Sequence, residues 1–384
     1  SVIDAARDGD AQAVDAGHAI LAPGFLDLHT HGAVNVDVNS GDAQGLVEIG
    51  NFFASHGVTG WLCSILTDTE EQTLRCIHAA REAMQASSGA RLLGIHLEGP
   101  TLSGKYAGAM PPHLLQQGDL SLIRRYQEAA EGAIRSMTIA PEVPGALEVI
   151  RALSDEMVIS LGHSEATYDQ AIAAIDAGAK SITHTFNAMR LFHQHEPAIM
   201  GAALERDVYC EAICDGRHLH PGSVRMLLAI KGSHRMVPIT DSIMATGLPD
   251  GDYRLGVNEI TVVDGDALLK GKSVRAGSTL TMDRALRNLL SFTGRPMEDV
   301  LPMLSQTPAA LLGDSHLGAI APGYDADFVL LDDAGNILAA GESPNPQMAA
   351  GAEVMARLAE GATPDGARRM RRLALDFLDD IVDN

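Results

Sequence analysis

Histidines and carboxylates follow five short apolar segments of this sequence, at the point where each segment ends. These residues are His29, His31, Glu98, His163, His184 and Asp241. Imidazole and carboxylate groups suit Zn²⁺, Fe²⁺, Mn²⁺ or Co²⁺ better than Ca²⁺ or Mg²⁺. Since residues two apart in a strand point the same way, His29 and His31 can bind one ion together. The pattern predicts a centre for one or two divalent ions, with Zn²⁺ as the first choice.

The number and type of these ligands indicate hydrolytic chemistry. Four imidazoles and two carboxylates exceed one tetrahedral set, and Glu98 can bridge two ions about 3.5–4 Å apart. Such ions lower the pKa of a bound water to about 7 and polarise a carbonyl oxygen. Asp241 then accepts the water's proton and delivers it to the leaving group. We expect hydrolysis of an amide, an ester or a related bond without a covalent enzyme intermediate.

Eight apolar runs alternate with helical patterns and must position these residues. The runs cover 25–29, 58–66, 92–97, 136–140, 158–161, 181–184, 208–214 and 236–240. Helices are predicted to begin after Asp42 and Ser164, both suitable N-caps. A doubly wound sheet, the alternative, normally has fewer strands. We therefore predict an α/β fold with a (β/α)8 TIM-like barrel over residues 23–317, in which all the candidate ligands meet at one rim.

The two chain ends and one insertion are predicted to lie outside the barrel. Residues 256–271 indicate a β-hairpin around the Asp264-Gly265 turn. Residues 1–22 and 318–345 are predicted to form a small β domain built from both chain ends. Residues 346–384 carry Met, Ala and Leu at helical spacing and are predicted to be a C-terminal helical extension.

Charge and composition exclude several classes of partner. The 384 residues include 50 acidic and 28 basic side chains, which gives a formal net charge of −22. This balance argues against nucleic acid or an anionic membrane surface as a partner. Apolar runs are far shorter than the roughly 20 residues that span a bilayer, and we expect no signal peptide. Four cysteines fit neither a disulfide framework nor a C-x-x-C zinc site. We expect a cytoplasmic enzyme acting on a small molecule.

Several motifs resemble one known family. APGFLDLHTHG at 22–32 is similar to the first-strand signature of the amidohydrolase superfamily. The combination with further motifs resembles the N-acetylglucosamine-6-phosphate deacetylase family: HLEGP (96–100), LGHS (161–164), THTFNAM (183–189), DGRH (215–218), TDS (240–242), AGSTLTM (276–282) and APGYDAD (321–327). The resemblance covers roughly residues 13–340. It implies the barrel and a small β-sandwich, and we expect the chain to be truncated at the N-terminus of that sandwich.

The resemblance implies an activity and a division of the metal ligands. The expected reaction is hydrolysis of the N-acetyl amide of N-acetyl-D-glucosamine 6-phosphate to glucosamine 6-phosphate and acetate, often by a homodimer. Glu98, His163 and His184 are expected to hold the principal ion. His29 and His31 are expected to hold a second one.

The same resemblance implies roles for further residues. Asp241 is expected to be the general base and acid as well as a metal ligand, and His218 to polarise the acetyl carbonyl. The residues expected at the substrate are Ala109, Met110, Asn187, Ala188, His195, Asp215, His218, Arg275, Ala276 and Gly277.

Two positions depart from the family pattern. The family usually has Arg-Glu-Pro-Gly where this chain has HEPA at 195–198, and Gly-x-His where it has GAM at 108–110. A neutral His195 lacks the bidentate fork that Arg offers a phosphate. The residues near these motifs that are candidates to replace the lost charge are Lys105, Arg190, Arg217 and Arg275. The requirement for the 6-phosphate and the sugar epimer therefore stay open.

Other functions stay open at this point. One is a deacetylase of an unphosphorylated N-acetyl sugar or of N-acetylgalactosamine 6-phosphate. Another is a different amidohydrolase, such as an N-acyl-amino-acid deacylase. Glu98 at the end of the third barrel strand favours the sugar deacetylase over that alternative. A non-enzymatic sugar-binding scaffold predicts a broken ligand set, whereas this sequence keeps the set complete.

Overall fold

The computed structural model describes residues 18–86 and 88–341. Its strands, β1 to β16 in chain order, are Ile20–Pro23, Phe25–Thr30, Gly32–Ala33, Val36–Asp37, Val58–Leu66, Arg91–Glu98, Ile134–Ile139, Val158–Leu161, Ser181–Ile182, Tyr209–Ile213, Met236–Ile239, Gly251–Leu255, Asn258–Val263, Asp266–Leu269, Phe328–Leu331 and Ile337–Gly341. Its α-helices, α1 to α10, are Ala43–Ala54, Glu70–Ala83, Leu120–Ala129, Ala146–Leu153, Tyr168–Asp176, Ala198–Glu205, Pro221–Lys231, Met282–Thr293, Met297–Leu304 and Gln306–Leu312. The predictions for residues 1–17 and 342–384, including the helical extension, lie outside the described residues.

Eight strands, β2 and β5 to β11, pair in parallel and in chain order. The first and last of them also meet, because His31 N–H donates to Ser242 O at 2.7 Å and Asp241 N–H donates to His29 O at 2.9 Å. The helices α1 to α7 lie between successive barrel strands, and α8 follows the last one. The predicted (β/α)8 barrel is confirmed, and its carboxyl ends form a single rim.

The barrel strands are buried on both faces, which explains their continuous apolar sequences. Every residue of β5 is buried. Trp61 at its centre is fully buried, packs edge-on against Phe53 of α1 with ring centroids 5.3 Å apart, and donates from Nε1 to Ala90 O at 3.3 Å. Its indole N–H therefore has a partner, as buried tryptophan requires.

One predicted helix start is confirmed and one is wrong. The Asp42 side chain accepts a hydrogen bond from Gln44 N–H at the start of α1. Helix α5 instead begins after Thr167, which forms a reciprocal capping box with Gln170. The predicted cap, Ser164, donates from its hydroxyl to a carboxylate oxygen of Glu142 at 2.7 Å. Ser164 thus serves the loop above the barrel rather than the helix.

The insertion is a three-stranded antiparallel sheet of β12, β13 and β14, not the predicted hairpin alone. The pattern missed β12 because Asp252 and Arg254 place charge on its exposed face. The buried face joins loops at the barrel rim in a second apolar cluster, hereafter the roof, made of Leu66, Leu102, Ala107, Met110, Ile243, Ala245, Leu255, Ile260, Val262, Ala267, Leu269 and Ala276. The sheet therefore covers the rim on which the candidate ligands lie.

A separate sheet joins the two ends of the described chain. Strand β15 pairs antiparallel with β1 on one side and with β16 on the other. This pairing accords with a β unit built from both chain ends, and the boundaries of the predicted domains stay predictions. All four cysteines are free and buried. None of the described helices is long and apolar enough to span a membrane.

Asp27 is a buried carboxyl group that ties the first barrel strand to the eighth. It accepts hydrogen bonds from the Thr240 hydroxyl, from Thr240 N–H at 3.2 Å and from His29 N–H at 3.4 Å. Burial raises the pKa of Asp27 to about 6, although these hydrogen bonds oppose the shift. The group thus holds together the two strands that carry His29 and Asp241.

Asp27→Ala should lower the free energy of unfolding, because it leaves the Thr240 hydroxyl and two N–H groups without an acceptor. We expect a loss of at least about 2 kcal/mol, since each buried donor left unpaired costs about 1–3 kcal/mol. Urea denaturation of the metal-free protein measures it, with Asp27→Asn, which retains one acceptor, as the milder control. An alanine variant as stable as wild type would contradict this role.

Candidate metal centre and substrate cavity

The strand ends bring all six candidate ligands to one rim. His29 lies in β2 and Glu98 is the last residue of β6, while the others follow the ends of β2, β8, β9 and β11. His163, His184 and Asp241 have positive φ angles of 47°, 26° and 50°. Non-glycine residues adopt this region rarely, and such strain is concentrated at functional sites.

The Glu98 carboxylate lies among all four candidate imidazoles. Its Oε1 is 3.0 Å from His163 Nε2, 3.2 Å from His184 Nε2 and 3.5 Å from His29 Nε2. Its Oε2 is 3.2 Å from His31 Nε2. Two groups of three converging ligand atoms result, and Glu98 belongs to both.

Hydrogen bonds behind two of the rings fix which nitrogen faces the centre. His31 Nδ1–H donates to Ser64 O at 2.9 Å, and His163 Nδ1–H donates to Tyr106 O at 2.8 Å. A carbonyl oxygen only accepts, so Nδ1 carries the proton in both rings. In the neutral rings Nε2 is therefore left with a lone pair directed at Glu98.

Glu211 is a third group that fixes the orientation of a candidate ligand ring, and the sequence analysis missed it. One of its carboxylate oxygens accepts from His29 Nδ1–H and from His184 N–H, both at 3.1 Å. This side chain is buried in β10, and acidic residues are almost never buried without partners. A single Glu within the apolar run at 208–214 was the available sequence signal.

His96, two residues before Glu98 in the sequence, lies among structural hydrogen-bond partners instead. Its two ring nitrogens lie 2.8 Å from the hydroxyl oxygens of Ser64 and Thr138. Burial, and the positive potential of His29, hold the pKa of His96 well below its usual value. His96 is therefore a neutral ring with a hydroxyl partner at each nitrogen, and it stabilises the interior of the barrel.

The donor set fits divalent transition-metal ions. The Nε2 atoms of His29 and His31 are 3.2 Å apart, and those of His163 and His184 are 3.0 Å apart, with Glu98 beside both pairs. A cation between such lone pairs removes their mutual repulsion, and imidazole with carboxylate suits Zn²⁺ and its neighbours. The buried Nδ1 of His184 has no partner among the described residues.

Asp241 is held in place by the segment that follows the insertion. Ser278 N–H donates to Asp241 O at 2.7 Å, and the Ser278 hydroxyl donates to Thr240 O at 2.6 Å. A Cβ at Gly277, whose φ is +63°, would lie 2.8 Å from the Asp241 carbonyl oxygen and 2.4 Å from Ile243. The close approach explains the glycine, and the Asp241 carboxylate lies 3.3 Å from His31 Nε2.

A cavity of about 600 Å³ lies over the centre and under the roof. Five candidate ligands line it, and His29 lies behind them. Eight of the predicted substrate residues line it as well: Ala109, Met110, Asn187, Ala188, His218, Arg275, Ala276 and Gly277. The structure thus brings eight of the ten expected substrate residues and five of the six candidate ligands to one cavity.

The remaining two predicted substrate residues lie elsewhere. Asp215 accepts from His218 Nδ1–H at 2.7 Å and from His218 N–H at 2.7 Å, so it orients His218 from outside the cavity wall. His195 is exposed, packs beside His193 with ring centroids 5.3 Å apart, and does not line the cavity. Its role in substrate binding stays a prediction.

A closed parallel barrel with imidazole and carboxylate ligands on its carboxyl rim defines a metal-dependent hydrolase of the amidohydrolase type. A model of the amidohydrolase family matches residues 20–364.

Comparisons with individual proteins narrow this class. The chain is 35% identical over 316 residues to the N-acetylglucosamine-6-phosphate deacetylase of Lysinibacillus sphaericus, covering 82% of this chain and 81% of the relative. It is 36% identical to the N-acetylgalactosamine-6-phosphate deacetylase of Escherichia coli O157:H7, covering 82% and 84%. A mutant of N-acetyl-D-glucosamine-6-phosphate deacetylase from Mycobacterium smegmatis, solved in complex with N-acetyl-D-glucosamine-6-phosphate, has a TM-score of 0.81 and 38% identity, covering 85% and 86%. The chain belongs to the N-acetylglucosamine-6-phosphate deacetylase family of amidohydrolases.

Metal affinity should increase with pH. Burial would lower the pKa of His31, but the Asp241 and Glu98 carboxylates raise it to about 9 when no ion is bound. A divalent ion must displace that proton, so each displaced proton weakens apparent affinity about tenfold per pH unit below 9. Competition with a chromogenic chelator at pH 6, 7 and 8 measures the trend. Equal Zn²⁺ affinity at all three values, after correction for the chelator, would rule out this linkage.

Proposed function

We propose that this chain hydrolyses the N-acetyl amide of N-acetyl-D-glucosamine 6-phosphate to glucosamine 6-phosphate and acetate. The observation that carries the proposal is a single cavity lined by Glu98 and three of its histidine partners together with Asp241 and His218. The family relationship supports it, because a 38% identical relative has been solved with this sugar phosphate. Divalent ions held by Glu98 and the four histidines would supply an acidified water and a polarised carbonyl.

Asp241 has the position and the charge of a general base. Burial would raise the pKa of Asp241, but the hydrogen bond with His31 and the nearby imidazoles lower it to about 2. The carboxylate is therefore ionised at neutral pH. It accepts a proton as the water oxygen bonds to the acetyl carbon, and it returns that proton to the amide nitrogen as the C–N bond breaks.

His218 is the residue that we propose to bind the acetyl oxygen. Asp215 accepts from its Nδ1–H and from its main-chain N–H, which fixes the ring. When the ring carries a proton on both nitrogens, its Nε2–H would donate to the acetyl oxygen. The ring lines the same cavity as Asp241. Asp215 thus acts on the substrate only through His218, as a positioning residue.

N-acetylgalactosamine 6-phosphate is the second candidate substrate. The chain is as similar to a relative named for that activity as to those named for the glucosamine epimer, at 36% against 35% identity. The two sugars differ only in the orientation of one hydroxyl group, so the same centre can act on both.

Acetate release by the Zn²⁺-loaded enzyme tests the proposal. The substrates compared are the 6-phosphates of N-acetylglucosamine and N-acetylgalactosamine and unphosphorylated N-acetylglucosamine. We expect the highest kcat/KM with N-acetylglucosamine 6-phosphate. A higher value for the galactose epimer would support the second candidate, and acetate release from none of the three would overturn the deacetylase function.

Asp241→Asn should reduce kcat by about 10²–10⁴-fold, because it removes the proton acceptor. The ligand group of Glu98, His163 and His184 is unaltered, so at least one ion per chain should remain bound. Metal analysis of the same sample provides this control. A variant with near wild-type kcat would show that another residue transfers the proton.

Zn²⁺ as the ion is part of this proposal, with Fe²⁺, Mn²⁺ and Co²⁺ as alternatives, because nitrogen and oxygen ligands accept several divalent ions. The homodimer and the cytoplasmic location stay predictions of the sequence analysis.

A further inference from the structure

Charge is unevenly distributed around the cavity. Among the described residues that line it, the carboxylates are Glu98 and Asp241, both in the candidate metal centre. The lysines and arginines on its wall are Lys105, Lys272 and Arg275. The chain as a whole has a net charge of −22. Outside the metal centre, however, the charged groups on the cavity wall are cations, and this favours an anionic group on the substrate.

Two of these three cations already have acidic partners. Arg275 donates from Nε and Nη2 to the two carboxylate oxygens of Asp266 at 2.8 and 2.9 Å. Lys105 Nζ lies 3.4 Å from Glu165. A phosphate would have to compete with these carboxylates, and most of all with the bidentate Arg275 pair.

The other cations that the sequence suggested as substitutes for the missing arginine lie off the cavity wall. Arg190 pairs with Glu196. Arg217 donates to Asp264 O and lies 3.8 Å from Asp266. Neither lines the cavity, and neither does His195, where the resemblance to the family leads us to expect an arginine.

Lys272 differs from all of these residues. Within residues 18–86 and 88–341, its ammonium group has no acidic partner within ion-pair distance. Its backbone is nevertheless ordered by a tight turn, because Lys272 N–H donates to Leu269 O and Leu269 N–H donates to Val274 O, both at 2.9 Å. Because the backbone is already ordered and the ammonium group has no acidic partner to leave among the described residues, less conformational entropy is lost when Lys272 binds an anion.

We propose that Lys272 binds the 6-phosphate of the substrate and is a specificity-determining residue of this enzyme. The inference rests on the proposed function and names the residue that recognises its anionic end. Lysine binds phosphate as a point charge, with three donors on a flexible stem. Lys272 would thereby supply the charge that the absence of arginine at position 195 removes.

The test compares kcat and KM for N-acetylglucosamine with and without the 6-phosphate. Lys272→Met should raise KM and lower kcat/KM about 10–100-fold for the phosphorylated sugar alone, as loss of a hydrogen bond to a charged group implies. Lys272→Arg should retain most of the phosphate preference. Lys270→Met is the matched control, since Lys270 lies two residues away with its Nζ 3.0 Å from Asp252 and should behave as wild type.

Ionic strength provides a second readout that a structural role would not move. Salt should reduce the phosphate preference of wild type but not that of Lys272→Met, because it screens an exposed charge. This inference alone would be overturned if the wild type were active and Lys272→Met had an unchanged kcat/KM. It would also be overturned if Lys272→Met lost kcat/KM equally for both sugars. A wild type that releases acetate from neither sugar would overturn the proposed function as well.

Discussion

The contact of one buried carboxylate with four imidazoles is the interaction on which the rest of this structure depends. Glu98 is 3% exposed, and an ionised group at that depth is costly unless charges or hydrogen bonds compensate it. The rings that face it, those of His29, His31, His163 and His184, come from the ends of three other barrel strands. A divalent cation held between these rings and Glu98 would compensate its charge. A closed barrel meets this requirement, because it directs the carboxyl ends of all its strands to one rim.

A second layer of polar groups keeps those rings in their orientation. The carbonyl oxygens of Ser64 and Tyr106 accept hydrogen bonds from two ring nitrogens, and Glu211 joins His29 to the backbone of His184. Partners of this kind behind metal-binding histidines orient the ring and raise its basicity. The inserted sheet then covers the rim, so the candidate ligands and His218 lie at a cavity instead of on an open face.

The sequence predicted the barrel because its eight buried strands are continuous apolar runs, and it placed the candidate ligands at their ends. It misplaced the start of α5, since Ser164 and Thr167 are both good caps and the hydrogen bond from Ser164 to Glu142 is tertiary. Glu211 was missed because its partners lie on other strands. Lys272 was missed for a similar reason: the ion pairs that occupy the other cations are visible only in three dimensions.

X-ray diffraction from the Zn²⁺-loaded protein at the zinc absorption edge tests the central claim most directly. If Glu98 is shared between two metal positions, we expect an anomalous peak about 2.0–2.2 Å from a Glu98 oxygen and from Nε2 of His163 and His184. When the second position is filled, another peak should contact the other Glu98 oxygen with His29 and His31. Zinc bound at the rim without any contact to Glu98 would contradict the account.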